Sequence, residues 1–243
     1  MTTQKTGLVI SAHSADFVWR AGGAIALHKE QGVQMHIVCL SYGERGESAK
    51  LWRQPNMTED KVKKVREQEA RDAAEVLGAS IEFLDLGDYP LKADHDILFK
   101  LAEIYRRLQP SFVLSHSLND PYNYDHPRAA HLAQEARIIA QAEGHNPGEK
   151  VIAAPPFYCF EPHQPEQCNW KPDVLLDITS VWDTKYKAIQ CMQGQEHLWE
   201  YYTRVALQRG VQAKRNIGIT AAKNIIYGEA YQSIFPRVTE SLE

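Results

Sequence analysis

Leu8-Val9-Ile10-Ser11-Ala12-His13-Ser14-Ala15-Asp16 is the stretch on which the fold turns. A short apolar run of strand length gives way to a polar tetrad, and Phe17 to Gln31 then follows with helical spacing until Gly32. A strand buried on both faces reads as a continuous apolar run, so strand, turn and helix in this order predict a parallel sheet with crossover helices. The alternation continues. Val33 to Leu40 reads as the second strand. A helix follows with Thr58-Glu59-Asp60 at its start, apolar positions through Val62, Val65, Ala70, Ala73, Ala74 and Leu77, and Gly78 at its end. Ile81 to Leu86 reads as a strand, Asp94 to Leu108 as a helix, Phe112 to Ser115 as a strand and His126 to Glu143 as a helix.

Prolines crowd the segment after Asn146, which reads as a long functional loop around one or two strands. Asp173 to Ile178 is the last strand expected. Trp182 to Gln208 reads as one helix, with Trp182, Tyr186, Ile189, Met192, Leu198, Tyr201 and Tyr202 as packing positions and Trp199 as a core or subunit contact. The fold class is therefore α/β, a Rossmann-like, mostly parallel sheet flanked by helices, with a C-terminal helical elaboration. No linker splits it, and residues 1–243 are expected to form one domain.

Composition narrows the class of function. The chain has 243 residues, 44% hydrophobic, enough for a substantial core. A formal charge of −4, with both signs interleaved, lacks the basic face of a nucleic-acid protein. Nothing approaches a membrane span, and Met1-Thr2-Thr3-Gln4-Lys5 runs into the first strand without signal-peptide character. Cys39, Cys159, Cys168 and Cys191 form no CxxC pair, so reduced thiols and a cytoplasmic location are expected. Gly43, Gly46 and Gly22-Gly23 match no phosphate-binding loop.

Ligands of open α/β sheets bind outside the carboxyl ends of strands, and three loops there are polar: His13 to Asp16, Ser41 to Ser48, and His116 to His126. The spacing of His13 and Asp16 can aim an imidazole and a carboxylate at one point, with room for a second imidazole from Asp125-His126. Two histidines and a carboxylate with one open position suit a catalytic zinc, although Asp16 could equally cap the following helix. Iron, manganese or cobalt would fit the same donors.

At these residues the chain resembles the LmbE-like, or PIG-L, family of zinc-dependent N-acyl deacetylases. The family's His-Pro-Asp-Asp is matched by His13-Ser14-Ala15-Asp16, and its Gly-Glu-x-Gly by Gly43-Glu44-Arg45-Gly46. Arg66-Glu67-Gln68-Glu69 leading to Leu77-Gly78, the turn Asp85-Leu86-Gly87-Asp88, Asn123-Tyr124-Asp125-His126, and Pro172-Asp173 through Asp177-Ile178 match later motifs in order. The resemblance implies a zinc cofactor held by His13, Asp16 and His126. It also exposes two departures. Ala15 stands where the deacetylases carry their general base, and Asn123 stands where they carry the histidine that stabilises an oxyanion. Asp125 is retained as an orienting acceptor.

Losing such a base should cost an amide hydrolase roughly 10²- to 10⁴-fold. The sequence resembles instead the branch of the family that hydrates 4-oxalomesaconate in gallate and protocatechuate breakdown. That implies a small-molecule polycarboxylate substrate and a hydro-lyase, with an N-acetyl-sugar deacetylase or a non-catalytic metal-binding protein as the rivals. Glu47, and after it Glu44, are the candidate bases, and His163 is the candidate proton carrier. Arg20, Arg45, Arg66 and Arg128 are candidate carboxylate clamps, and Tyr122 could shape the pocket. An aromatic C-terminal helix points to a homo-oligomer.

Overall fold

In a computed structural model, which describes residues 4–218, 223–236 and 238, the first strand β1 (Thr6–Ser11) lies inside a seven-stranded sheet. Leu8, Val9 and Ile10 are fully buried because both faces of β1 are covered. β2 (Gln34–Cys39) pairs in parallel on one side, with Val9 opposite Ile37. On the other side β4 (Phe112–Ser115) pairs in parallel, with Val9 opposite Leu114. β3 (Ser80–Phe83) extends the sheet beyond β2, and β5 (Phe157–Phe160) beyond β4, both in parallel. The edge beyond β5 is antiparallel: β7 (Gly228–Ser233) pairs with β5, and β6 (Val174–Asp177) pairs with β7.

Two apolar cores cover the two faces. On one, α1 (Asp16–Glu30), α3 (Glu59–Leu77), α6 (Trp182–Cys191) and α7 (Trp199–Asn216) pack through Phe17, Ile25, Leu77, Ile189 and Tyr202. On the other, α4 (His95–Leu108) and α5 (Asp125–Gln141) pack through Leu101, Tyr105, Ala129 and Ala133. Capping follows the expected chemistry. Thr58 accepts from the Lys61 N–H at the start of α3, Gly78 ends α3 at φ +70°, and Asp94 accepts from the Ile97 N–H at the start of α4. The strand order β3-β2-β1-β4-β5 reverses direction at β1, so the loops after β1 and β4 diverge and leave a crevice at their carboxyl ends.

Four features differ from expectation. The predicted helix over Trp182 to Gln208 is two helices, α6 and α7, split by the 3-10 segment Gln193–Leu198 with a kink at Gln195. The strand expected to reach Leu86 ends at Phe83, although Leu84 and Leu86 still donate to the carbonyls of Cys39 and Leu40. A short helix, α2 (Ala49–Trp52), follows the second polar loop. β7 was not expected at all, because Gly228-Glu229-Ala230-Tyr231-Gln232-Ser233 carries no apolar run. The expectation for Met1-Thr2-Thr3 and for the last residues of the 1–243 domain falls outside the described residues. Among the described residues no helix is long and apolar enough to cross a membrane, and all four cysteines are free.

The charge in β7 has a buried purpose. The Glu229 carboxylate accepts from the backbone N–H groups of Gly23 (2.7 Å) and Ala24 (2.8 Å) in the middle of α1, from the Lys185 ammonium (2.6 Å) on α6 and from the Tyr231 hydroxyl (2.6 Å). Lys185 also donates to the Trp19 carbonyl at 3.1 Å. Gly23 has to be glycine here, since a Cβ would come within 2.7 Å of Ile178 and 2.9 Å of the Glu229 carboxylate. This knot locks α1, and with it the Asp16 loop, to the antiparallel edge. Breaking a buried pair from one side leaves the other charge under-compensated, so Lys185→Met should lower stability by about 3 kcal/mol in denaturant titration.

Candidate active site

The crevice is built first from the turn after β1. The Ser11 hydroxyl donates to the His13 carbonyl at 2.7 Å and accepts from the Phe17 N–H at 3.2 Å. Asp16 accepts from the backbone N–H of His13 at 3.0 Å, so its carboxylate staples the turn and does not cap α1. From the β2 side, Ser41 donates to the Ala12 carbonyl at 2.9 Å. From the β4 side, the Ala12 N–H donates to His116 Nε2 at 2.9 Å. Ala15 is fully buried within the apolar core.

Two carboxylates then orient the two histidines. His13 Nε2 faces Asp125 Oδ2 at 3.2 Å, which turns Nδ1 toward Asp16 Oδ2 and Glu47 Oε1, both at 3.1 Å. His126 Nδ1 faces Asp120 Oδ2 at 2.8 Å, which turns Nε2 toward Asp16 Oδ1 at 3.5 Å and Glu47 Oε1 at 3.8 Å. One ligand atom from each of His13, Asp16, Glu47 and His126 lies within 4.8 Å of the others.

This donor set fits a divalent metal ion. Both imidazoles present a free nitrogen backed by a carboxylate on the other ring nitrogen, as metal-ligating histidines do. Charge points the same way. Burial alone would lower the pKa of His126, but Asp16 above all, with Asp120 and Glu47, pushes it up to about 9. Burial likewise opposes the charge on His13, yet Glu47, Asp125 and Asp16 raise it well above the ordinary imidazole value. The cluster carries more buried negative charge than its own side chains offset, a condition a dication relieves. His116 is different: buried, stacked on His126 at 4.3 Å between ring centroids, and held well below its usual pKa by desolvation and by His126, it is a neutral support.

Asn123 closes the rim. Its Oδ1 accepts from the Asp125 N–H at 3.1 Å, which turns Nδ2 toward His126 Nε2 (3.1 Å) and Glu47 Oε1 (3.4 Å). A cleft of about 180 Å³ opens beside the cluster, walled by Trp19, Arg20, His163, Gln195 and Tyr202, with Tyr122 at its mouth. Arg20 donates from Nη1 to the Glu161 carbonyl at 2.6 Å, and its Nε lies 3.5 Å from Asp16. His163 stacks on Tyr201 at 4.2 Å between centroids. Burial and the nearby Arg20 cation hold its pKa below the usual imidazole value.

The structure thus gathers His13, Asp16, His126, Glu47, Asn123, Asp125, Arg20, Tyr122 and His163. Four other candidates lie elsewhere. Glu44 is fully buried behind the loop that presents Glu47, 3.8 Å from Lys63, and desolvation raises its pKa. Arg45 turns outward to Glu59 and to the Asp88 carbonyl. Arg66 is buried against Glu69 and Gln195, and Arg128 is exposed on α5 away from the cleft. The loop geometry explains the first two. Asp88 accepts from the N–H groups of Arg45 (2.8 Å) and Gly46 (2.7 Å), and a Cβ at Gly46 would fall 2.1 Å from the Tyr89 ring. With the loop pinned flat there, its outer side chains cannot turn inward.

Sequence reasoning overlooked Asp120, His116 and Gln195 as site residues. Asp120 lies six residues before His126, beyond helical spacing, and Gln195 arrives from a break inside a predicted helix.

Residues 8–137 match the PIG-L family, described as GlcNAc-PI de-N-acetylase. The chain belongs to this family. Among PIG-L relatives, a 4-oxalmesaconate hydratase of Pseudomonas putida is 76% identical over 241 residues, covering 99% of this chain and 93% of that protein. The crystal structure of GalB, the 4-carboxy-2-hydroxymuconate hydratase of Pseudomonas putida, superposes with a TM-score of 0.98 at 75% identity, covering 99% of this chain and 100% of that one. The N,N'-diacetylchitobiose deacetylase of Pyrococcus horikoshii shares the fold, with a TM-score of 0.77 at 24% identity over 96% of this chain and 84% of that one.

Asp120 and Asp125 act through the histidines they hold. Asp120→Asn and Asp125→Asn should each weaken retention of a divalent metal about 10- to 100-fold in chelator competition, with the folded fraction unchanged by circular dichroism.

Proposed function

We propose that this chain is a hydro-lyase that adds water across the conjugated carbon-carbon double bond of 4-oxalomesaconate, a step in the breakdown of aromatic acids. The identity of 76% over 99% of the chain to a 4-oxalmesaconate hydratase carries the reading. The buried methyl of Ala15, where the deacetylases of the family place a base, supports it from the site itself.

Zinc held by His13, Asp16 and His126 would supply Lewis-acid polarisation of a keto or carboxylate oxygen. Glu47 is the general base. It lies at the cluster's edge with one oxygen 3.4 Å from Asn123 Nδ2 and 3.1 Å from His13 Nδ1. Its carboxylate takes a proton from the water whose oxygen bonds to one alkene carbon. His163, across the same cleft, delivers a proton to the other carbon. Burial and the Arg20 cation lower its pKa, which makes the imidazolium a stronger acid but the neutral ring its main form at neutral pH. Arg20 holds a substrate carboxylate: its Nη1 and Nε are turned to Glu161 and Asp16, which leaves Nη2 for the cleft. Tyr122, more than half exposed, covers the mouth.

The purified protein with zinc should abolish the ultraviolet absorbance of 4-oxalomesaconate and release no amine from N-acetylated sugars. Amine release without bleaching would mean a deacetylase. Glu47→Gln should lower kcat about 10²- to 10⁴-fold. His163→Ala should lower it in the same direction while leaving bound zinc unchanged.

A further inference from the structure

The kink between α6 and α7 carries Gln195 to the wall of the cleft that Asp16, Arg20, Glu47 and His126 also line. Its backbone leaves the helical path at φ −131°, ψ 35°, and its N–H donates to the Met192 carbonyl at 3.1 Å. Arg66 on α3 donates from Nη2 to Gln195 Oε1 at 2.7 Å. A guanidinium has no acceptor, so this bond fixes the direction of the amide: the carbonyl oxygen faces α3 and the NH2 faces away from it.

The support beneath is equally defined. Arg66 is fully buried and paired with Glu69, whose Oε1 accepts from the Gly194 N–H at 2.7 Å. A Cβ at Gly194 would come within 2.9 Å of Arg66 Nη1, so a side chain there would have to displace the guanidinium that holds Gln195. Two residues of α3 therefore clamp two successive residues of the kink. Among the described residues Gln195 Nε2 meets no acceptor, although the residue is only 6% exposed. Nε2 is not among the side-chain atoms sealed from solvent, so its hydrogens are open to a ligand or water at the cleft wall.

We propose that Gln195 is a specificity-determining residue that donates its Nε2 hydrogens to a carboxylate of the substrate, with Arg66 and Glu69 as positioning residues. The assignment rests on the cleft being the site of polycarboxylate hydration. A neutral, directed donor suits this wall. It binds a carboxylate beside Arg20 without adding a cation next to the Asp16 and Glu47 carboxylates, whose negative charge the metal-holding cluster uses.

The test compares wild type with Gln195→Leu, Gln195→Glu and Arg66→Lys, measuring steady-state hydration of 4-oxalomesaconate, bound zinc and thermal midpoint. Loss of a hydrogen bond to a charged group should raise KM about 10- to 100-fold in Gln195→Leu, with kcat within a few-fold and zinc unchanged. Gln195→Glu should raise KM further, because Arg66 still holds the side chain while a carboxylate now meets a carboxylate. Arg66→Lys should raise KM less than Gln195→Leu does. If Arg66→Lys fails to fold, the two Gln195 variants decide the matter. An unchanged KM in Gln195→Leu overturns the assignment, and so does a loss of zinc or of thermal stability without a KM effect. If wild type does not hydrate the acid, the functional reading fails by itself. Calorimetric binding of tricarballylate, a saturated tricarboxylate, then tests Gln195 independently: weaker binding by Gln195→Leu supports the assignment, and equal binding overturns it.

Discussion

Everything at the active site hangs on the Asp125 carboxylate. It faces His13 Nε2 at 3.2 Å and accepts from the backbone N–H groups of Tyr89 (2.9 Å) and Leu91 (2.7 Å). One side chain at the start of α5 therefore sets the ring of a residue after β1 and anchors the loop after β3. Backbone donors and His13 hold Asp125 below its ordinary pKa against the cost of burial, so it stays a pure acceptor. With Nε2 committed to it, only Nδ1 of His13 is left for the centre of the cluster. Asp120 does the same for His126 with the ring reversed, presenting Nε2. The two imidazoles thus offer chemically different nitrogens because their carboxylate partners approach from opposite sides.

What was legible in the sequence follows from periodicity and punctuation. Continuous apolar runs betrayed the parallel strands, since burial on both faces leaves no polar alternation to confuse them. Thr58, Gly78 and Asp94 marked helix ends through local hydrogen bonds that need no tertiary information. The clustering of His13, Asp16 and His126 was legible because two of them share one turn and the third opens a helix. On the antiparallel edge β6 was legible in Asp173 to Ile178, and β7 was not. β7 is polar by composition, and its Glu229 is stable in the interior only through donors from α1 and α6. No window of sequence containing β7 contains those partners.

The arginines show the same limit more sharply. All four candidates carry the same chemistry, and position in a motif cannot say which way a five-donor side chain points. Arg45 sits inside a motif of the active loop yet faces Glu59, because Asp88 pins the backbone on both sides of it. Arg66, on α3, donates to the amide oxygen of the cleft residue Gln195 and is paired with Glu69. Arg20 alone reaches the cleft directly, from the helical turn after Asp16.

The methyl group at Ala15 has a second consequence beyond the missing base. Asp16, Glu47, Asp120 and Asp125 already bring four carboxylates to or beside the cluster. Arg20 and a dication offset only part of that charge. Ala15 itself is fully buried among apolar neighbours, so a carboxylate there would add a further desolvated negative charge beside the cluster. A deacetylase acting on a neutral amide tolerates such a charge and uses it as a base. On the proposed reading, the methyl at position 15 spares the site that charge, and Glu47, which faces both imidazoles, is left as the carboxylate placed to act as base.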